Sequence, residues 1–271
     1  MSTFDLHLHT TCSDGTLTPE ETVAAAAERG VRVIAITDHD TVAGIAPARA
    51  VAGAVQVISG VEINTEVKRE NIHILGYGFD LENQQFLNGL AGLREGRRTR
   101  ARQMLKRLAD IGYPLDDAAV MTYDGAIGRP HLARALVTAG YLPSESEVFA
   151  RVLGNRCPAY VPREKFTPEE AIALIHAAGG IASLAHPGKL GDPMRFIRQL
   201  CTAGLDGLEA YHSDHSPQLT ARMIARASEF GLIVTGGTDS HGPGGSCPRN
   251  IGGISIPDEI CERFLANLRY K

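Results

Sequence analysis

The sequence predicts an α/β protein, a (β/α) barrel of about seven strands with a helical insertion over its mouth. Three observations predict it: a helix–glycine–strand unit that recurs, polar residues at the strand tips, and one long helical stretch that breaks the pattern. The chain has 271 residues, of which 44% are hydrophobic and 21% charged. This is the composition of a globular protein with a large core.

Charge and cysteine content exclude several classes of protein. The net charge of −4 gives no basic field for binding long nucleic acid. Five scattered cysteines without a C-x-x-C pair predict neither a disulfide framework nor a thiolate zinc site. No signal-type apolar segment or membrane-length apolar run occurs, so we expect a soluble, cytoplasmic protein without a membrane partner.

The first predicted strand is the stretch "FDLHLH" near the N-terminus. Its residues alternate, so His7 and His9 point to the same face. Two imidazoles on one face indicate either a surface strand or half of a metal site.

The recurring unit first appears as "TPEETVAAAAERGVRVIAITDHD". Thr18 is a helix N-cap, Glu21 completes a capping box, and Gly30 ends the helix. The β-branched run that follows is a buried strand, and His39 lies at its tip. The unit recurs as "TPEEAIALIHAAGGIASLAHPG" and, more loosely, as "SPQLTARMIARASEFGLIVTGGTDSHG".

Other strands fit between these units: "VQVISGVEI", "NIHILGYG" and "LDGLEAYHS". Repeated helix–strand units indicate a parallel sheet with covering helices, and this number of strands is close to the number that closes a barrel. An open doubly wound sheet is the alternative, but it would gather ligands at one switch point instead of drawing them from nearly every strand.

Metal-type side chains occupy the strand tips, where barrel enzymes place catalytic residues. Imidazole and carboxylate ligands suit manganese, iron or zinc, and this number of ligands suits two or three ions that share a glutamate. A single strand-end histidine is usually structural, but the same coincidence at every tip is not expected. The candidate ligands are His7, His9, Asp14, His39, Glu62, His73, His186, Asp239 and His241.

Residues 93–165 are predicted to form the insertion, and residues 1–92 and 166–271 the barrel. About 70 residues is too long for an ordinary loop, so this segment should have its own structure. "LREGRRTRARQMLKRL" is a basic helix on which Arg98 and Arg102 share a face, and its simplest interpretation is a solvated surface. "GRPHLAR" opens a second helix. We interpret both elements as a second phosphate-binding site, because arginine and helix N-termini favour phosphate. Its candidate residues are Arg98, Arg102, Arg129, His131 and Arg134.

The motifs "HLHTTCSDG", "ITDHD", "GVEI", "AHPG" and "GTDSH" resemble, in this order, those of the PHP (polymerase and histidinol phosphatase) family. The resemblance covers the chain apart from the insertion. It implies a distorted (β/α)7 barrel and three divalent metal ions, often Mn²⁺, with Zn²⁺ or Fe²⁺ as alternatives. The implied ligand sets are His7, His9, Glu62 and Asp239 for one ion, Glu62, His73 and His186 for a second, and Asp14, His39 and His241 for the third.

Such a centre favours hydrolysis of a phosphate ester, because several cations neutralise phosphoryl oxygens as charge develops. Glu62 and Asp14 would act as catalytic metal ligands, and His212, at the tip of a strand, is a candidate general acid. No serine triad elbow or P-loop competes with this interpretation.

The insertion narrows the substrate class. Its arginines would repel the amine of histidinol phosphate and favour a substrate with a second phosphate. The lid with "RPH" is similar to that of family members that remove the 3′-phosphate of nucleoside 3′,5′-bisphosphates, such as 3′-phosphoadenosine 5′-phosphate, to leave the 5′-monophosphate. A phosphoric monoester hydrolase of this kind is our leading hypothesis. The alternatives are a 5′-to-3′ exonuclease on short RNA, a histidinol-phosphate-type phosphatase and a non-catalytic metal-binding module.

Overall fold

A computed structural model describes residues 3–67, 70–121, 123, 125–162, 166–245 and 249–268. The predicted boundary at residue 165 lies outside these residues. None of the helices within the described ranges has the length and apolarity that crossing a bilayer requires.

The described residues form a single, nearly closed seven-stranded sheet in which the strands follow one another in chain order. This confirms the predicted barrel. The strands are β1 (Phe4–Leu8), β2 (Val33–Ile36), β3 (Gln56–Val67), β4 (Glu70–Tyr77), β5 (Ile181–Leu184), β6 (Gly207–His212) and β7 (Ile233–Gly237).

One strand departs from the predicted parallel arrangement. β4 runs antiparallel to both β3 and β5, whereas the other neighbouring pairs that form ladders are parallel. Only residues 68 and 69 separate β3 from β4, too few for the crossover that a parallel pair requires. His73 therefore lies within β4, opposite Asn64 in the register, and not at a strand's C-terminal end.

The helices cover the outside of the barrel and build the insertion. The predicted capping box of α1 is present: Thr18 accepts from the Glu21 N–H, and the Glu21 carboxylate accepts from the Thr18 N–H. Gly30 follows the helix with φ +72°, a conformation that glycine adopts without strain. The helices are α1 (Pro19–Glu28), α2 (Ile45–Ala50), α3 (Gln84–Asp110), α4 (Ala118–Met121), α5 (Arg129–Thr138), α6 (Glu145–Val148), α7 (Pro168–Ala177), α8 (Pro193–Thr202), α9 (Pro217–Phe230) and α10 (Asp258–Leu268).

Helix α3 joins the barrel to the insertion without a break. It is 27 residues long and begins at Gln84, nine residues before the predicted start of the insertion. Phe86 and Leu90 belong to the barrel core, whereas Met104 and Leu108 belong to a separate core inside the insertion. The insertion therefore has its own hydrophobic core, and one continuous helix connects that core to the barrel.

Contacts between β7 and β1 close the barrel beside the predicted metal ligands. The Asp239 N–H donates to the His7 carbonyl at 2.9 Å, and the His9 N–H donates to the Ser240 carbonyl at 3.0 Å. Gly237 permits this approach, because a Cβ there would lie 2.4 Å from the His7 backbone nitrogen. The closure places residues from both ends of the chain in one site.

Candidate metal centre

All nine predicted ligands meet at one end of the barrel, in three groups that could each hold a metal ion. Within each group, the ligand atoms lie within 4.8 Å of one another. Glu62 and His9 each belong to two groups. We call them the first group (His7, His9, Glu62, Asp239), the second group (Glu62, His73, His186) and the third group (His9, Asp14, His39, His241).

The buried Glu62 carboxylate lies at the centre of this cluster. Its Oε1 is 2.7 Å from Nδ1 of His73 and 3.0 Å from Nε2 of His186. Its Oε2 is 2.9 Å from Nδ1 of His39 and 3.2 Å from Nε2 of His9. Burial alone would raise the pKa of Glu62, but the surrounding imidazoles outweigh it and hold that pKa well below its usual range. Glu62 is thus an ionised carboxylate that faces several nitrogen ligands.

Several buried ligand atoms lack a hydrogen-bond partner among the described residues, although a buried polar atom without one is costly. Bound cations would satisfy lone pairs of this kind, so the residues present fit the metal ions that the motifs imply. The unpartnered ligand atoms are Nε2 of His7, Nε2 of His9, Oδ1 of Asp14 and Nδ1 of His186.

Glu209 of β6 is a fully buried carboxylate that orients two candidate ligands. Its Oε1 is 2.9 Å from Nδ1 of His7, and its Oε2 accepts from the His186 N–H at 2.6 Å. Burial would raise the pKa of Glu209, but His7 outweighs it and lowers the pKa to about 2. A carboxylate behind a ligand histidine fixes the orientation of the ring and makes it a better ligand. Glu209 is not among the residues predicted from the sequence, although an acidic residue inside an apolar strand was the available signal.

The backbone is strained at the centre. Among the described residues, four non-glycine positions have positive φ, and three of them lie here: His186 (+26°), Asp239 (+56°) and Asp40 (+53°). Asp40 directly follows His39. Such conformations persist only where the surroundings impose them, and they concentrate at functional sites.

Two cationic side chains reach Asp239, and sequence reasoning missed both of them. The Lys189 ammonium lies 2.8 Å from Oδ2 of Asp239, and Nη1 of Arg249 lies 3.5 Å from the same oxygen. His212 is also adjacent, with its Nε2 at 3.3 Å from that oxygen. The N–H of Asp214 donates to Nδ1 of His212, and Nη1 of Arg249 lies 3.4 Å from Nε2 of the same ring. This side of the cluster therefore presents several hydrogen-bond donors.

Three of the predicted phosphate-binding arginines do not reach the metal groups. Arg98 donates to the carbonyls of Met121 and Tyr123 inside the insertion. Arg129 donates to Asn155 and to the Leu153 carbonyl, also inside the insertion, and its guanidinium lies over two aromatic rings. The Arg102 side chain is 56% exposed and pairs with Glu95.

The other two predicted residues lie beside the centre. Arg134 donates to the carbonyl of Asp14, and its Nε is 3.4 Å from a carboxylate oxygen of Glu145. The His131 ring packs on Tyr123, and burial lowers the pKa of His131. Sequence reasoning did not select Arg97, which is buried against Asp40 with Nε at 2.5 Å from Oδ2. Its position on the buried face of the basic helix was the available signal.

Comparisons with known proteins agree with this geometry. The family model described as "PHP domain" matches residues 5–117. A 5′-3′ exoribonuclease, Rnm, of Escherichia coli is 38% identical over 255 residues, which cover 90% of this chain and 86% of that protein. A 3′,5′-nucleoside bisphosphate phosphatase of Chromobacterium violaceum is 35% identical over 277 residues, which cover 99% and 97% of the two chains.

A solved structure shows the same architecture. A protein from Bifidobacterium adolescentis, described as a metal-dependent phosphoesterase, superposes with a TM-score of 0.87 at 32% identity. The match covers 97% of this chain and 95% of the other. The fold is therefore shared over almost the whole of both chains.

Proposed function

The chain belongs to the PHP domain family and is a metal-dependent phosphoesterase, and we propose that it removes the 3′-phosphate of nucleoside 3′,5′-bisphosphates. The observation that carries the proposal is the single cluster in which Glu62 and His9 link three groups of ligands beside an arginine-bearing insertion. The product would be the nucleoside 5′-monophosphate, and the protein would be a cytoplasmic phosphoric monoester hydrolase.

In this proposal the three groups hold three divalent cations, Mn²⁺ by preference. Glu62 would be shared between the first and second groups, and Asp14 would belong to the third. When bound, the cations neutralise the phosphoryl oxygens and lower the pKa of water at the site. The unpartnered buried nitrogens of His7 and His9 support this arrangement, because each lone pair faces the space enclosed by carboxylates.

Lys189, Arg249 and His212 would contact the reacting phosphoryl group. All three lie against Asp239, so a phosphoryl group bound at the first group would meet their hydrogens. His212 was our candidate general acid. Its Nε2 lies 3.3 Å from Oδ2 of Asp239, so we assign to this nitrogen a hydrogen bond that stabilises the leaving oxygen.

The insertion would hold the phosphate that is not cleaved. Nη2 of Arg97 and Nε of Arg134 are buried and make no hydrogen bond among the described residues, although Nε of Arg134 lies 3.4 Å from the Glu145 carboxylate, which a phosphate would have to displace. Unused guanidinium donors near a metal centre favour an anionic group, and a bidentate phosphate contact suits arginine. Arg134 and His131 remain in this proposed site. Arg98 and Arg129 contribute indirectly, through the packing of the insertion.

An exonuclease on short 5′-phosphorylated RNA is the second candidate. The observation in its favour is the name of the 38% identical relative, a 5′-3′ exoribonuclease. The same centre would serve, since an oligonucleotide also offers a terminal phosphate and a phosphoester one nucleotide away. The two functions differ in the bond that breaks and in the size of the substrate.

A product-resolved screen of the Mn²⁺-loaded protein tests the proposal. The substrates are a nucleoside 3′,5′-bisphosphate, a 5′-phosphorylated tetranucleotide RNA and histidinol phosphate. We expect inorganic phosphate and a 5′-monophosphate from the first, at higher kcat/KM than from the other two. Preferred release of mononucleotides from RNA would establish the second candidate. Absence of turnover on all three would support a non-catalytic module.

A further inference from the structure

The insertion is hydrogen-bonded to the loop that carries Asp14. Four consecutive backbone carbonyls, those of residues 11–14, are hydrogen-bonded to it. The Ala126 N–H donates to the Cys12 carbonyl at 3.1 Å, and Arg134 donates to the Asp14 carbonyl. The Tyr123 hydroxyl is hydrogen-bonded to the carbonyls of Thr11 and Ser13, and the His131 ring is hydrogen-bonded to the Ser13 backbone.

A second contact holds the residue next to His39. Nε of Arg97 donates to Oδ2 of Asp40 at 2.5 Å, and the two side chains are 8% and 2% exposed. Arg94 donates to the Asp40 carbonyl at 3.0 Å. Oδ1 of Asp40 accepts from the Asn64 N–H at 3.0 Å, and the Asn64 side-chain nitrogen lies 2.8 Å from Nδ1 of His39. The chain of contacts runs from α3 of the insertion to a ligand of the third group.

The first and second groups are oriented from within the barrel. Glu209 of β6 contacts both His7 and His186, and the Asp239 N–H is bonded to the carbonyl of His7 in β1. The insertion contacts the centre at Asp14 and at Asp40, beside His39, and Asp14 and His39 both belong to the third group. The Asp40 N–H also donates to the carbonyl of Glu62 at 3.1 Å, so the predicted effect of the insertion is on the third group first, but not on that group in isolation.

We propose that the insertion is a structural part of the third metal site, so that its docking and the occupancy of that site are thermodynamically coupled. This inference rests on the proposed metal centre and goes beyond it. Tyr123, Arg134 and Arg97 are positioning residues here, because they act through Asp14 and His39. By reciprocity, a third cation would tighten the insertion onto the barrel as much as the docked insertion tightens the cation.

The test is a calorimetric titration of the metal-free protein with Mn²⁺, which measures the affinity of each of the three equivalents. Tyr123→Phe removes one hydroxyl and keeps the ring that packs on His131. Tyr141→Phe is the matched control, since its hydroxyl bonds the Pro114 carbonyl at 2.9 Å within the insertion. We expect the third equivalent to bind roughly 5- to 150-fold more weakly in Tyr123→Phe, the usual range for coupled sites. The first two equivalents should stay within about twofold, and Tyr141→Phe should match wild type for all three.

Two results would overturn the coupling while leaving the proposed centre intact: an unchanged third equivalent in Tyr123→Phe, or equal weakening of all three. A wild-type protein that binds only two equivalents would instead remove the third site itself, and with it this inference.

Hydrogen exchange supplies the reciprocal readout. In wild type, filling the third site should slow amide exchange in residues 125–138 of the insertion, whereas Asp14→Asn should abolish that slowing. An amide exchange rate in the insertion that does not change when the third Mn²⁺ equivalent binds would contradict the proposal.

Arg97→Lys provides a second variant for the Mn²⁺ titration. It keeps the charge at Asp40 but loses the Nη1 bond to the Ile127 carbonyl, and it should weaken binding of the third equivalent alone.

Discussion

The two sides of the metal centre are supported by different parts of the molecule. The ligands of the first and second groups lie within barrel strands or one or two residues past their ends, and Glu209, a fully buried barrel carboxylate, orients His7 and His186. In the third group, Asp14 and His39 lie on loops that contact the insertion. In our proposal, the barrel supplies the hydrolytic pair, while the insertion links the third site to substrate recognition.

The largest expected effect on metal content and kcat/KM comes from substitution of Glu62, the carboxylate shared by the first and second groups. Glu62→Gln should remove more than one metal equivalent and lower kcat/KM by more than about 1000-fold, because both barrel groups lose a shared anion. Elemental analysis of the purified variant measures the metal content. Full occupancy in this variant would exclude Glu62 as a shared ligand.

Loss of metal from the third group should be separable from loss of metal from the first and second groups. Asp14→Asn should retain two equivalents and lower kcat/KM about 100-fold, since one cation near the phosphoryl group is lost. Metal content and turnover at limiting Mn²⁺ measure both quantities. Wild-type kcat in this variant would show that the third group plays no part in the reaction.

The ligand histidines should also differ in proton release, and the one that releases a proton, His9, belongs to both the first and the third group. Burial lowers the pKa of His9, but Asp239 and Glu62 outweigh it and raise the pKa to about 10. The His9 imidazolium thus stabilises the metal-free fold fully below about pH 6.5, and this contribution is lost as the pH rises to 10. Burial lowers the pKa of His39 to about 4, so His39 is neutral at pH 7.

Cations must displace the His9 proton, so Mn²⁺ affinity should rise with pH, about tenfold per unit for each proton released. Calorimetry between pH 7 and 8.5, in buffers of different ionisation enthalpy, counts the protons. Asp14→Asn serves as the control, because most of the release should persist without the third site. Affinity that is independent of pH would contradict this assignment.

The smallest effect is expected at the exposed edge of the insertion. Arg102 lies about 140° around the helix from the buried Arg97 and pairs only with the exposed Glu95 among the described residues. Arg102→Ala should therefore change kcat/KM for the bisphosphate by no more than about twofold. Steady-state kinetics beside Arg134→Gln makes the comparison, and a large loss in Arg102→Ala would return that residue to the phosphate site.

Much of the barrel could be predicted because its signals are local. Capping boxes, terminal glycines and β-branched runs mark the helix–strand units, and the ends of the strands place most of the nine candidate ligands together, although Glu62 and His73 lie within β3 and β4. The direction of β4 was missed, because the pattern of a single strand does not encode its direction; the short link between "VQVISGVEI" and "NIHILGYG" was the available signal. The true start of α3 also escaped detection, since its first turns are held by Phe86 and Leu90 packing on the barrel.

Tertiary contacts set the rest of the site. The basic helix carries six arginines, and spacing alone selected Arg98 and Arg102 instead of Arg97. The residue that faces the centre depends on how the insertion docks, which no local pattern records. The same holds for Glu209, whose partners His7 and His186 are distant in sequence.

The central claim is that the barrel hydrolyses the 3′-phosphate ester while the insertion binds the 5′-phosphate. It is tested most directly by the ratio of two kcat/KM values of the wild-type protein, that for a nucleoside 3′,5′-bisphosphate over that for the matching 3′-monophosphate. Both substrates offer the same ester to the barrel groups, and only the bisphosphate offers a 5′-phosphate to the insertion. A charged hydrogen bond of about 1.5–3 kcal/mol predicts a ratio of roughly 10 to 150. A ratio near one, measured with the metal sites filled, would contradict the account.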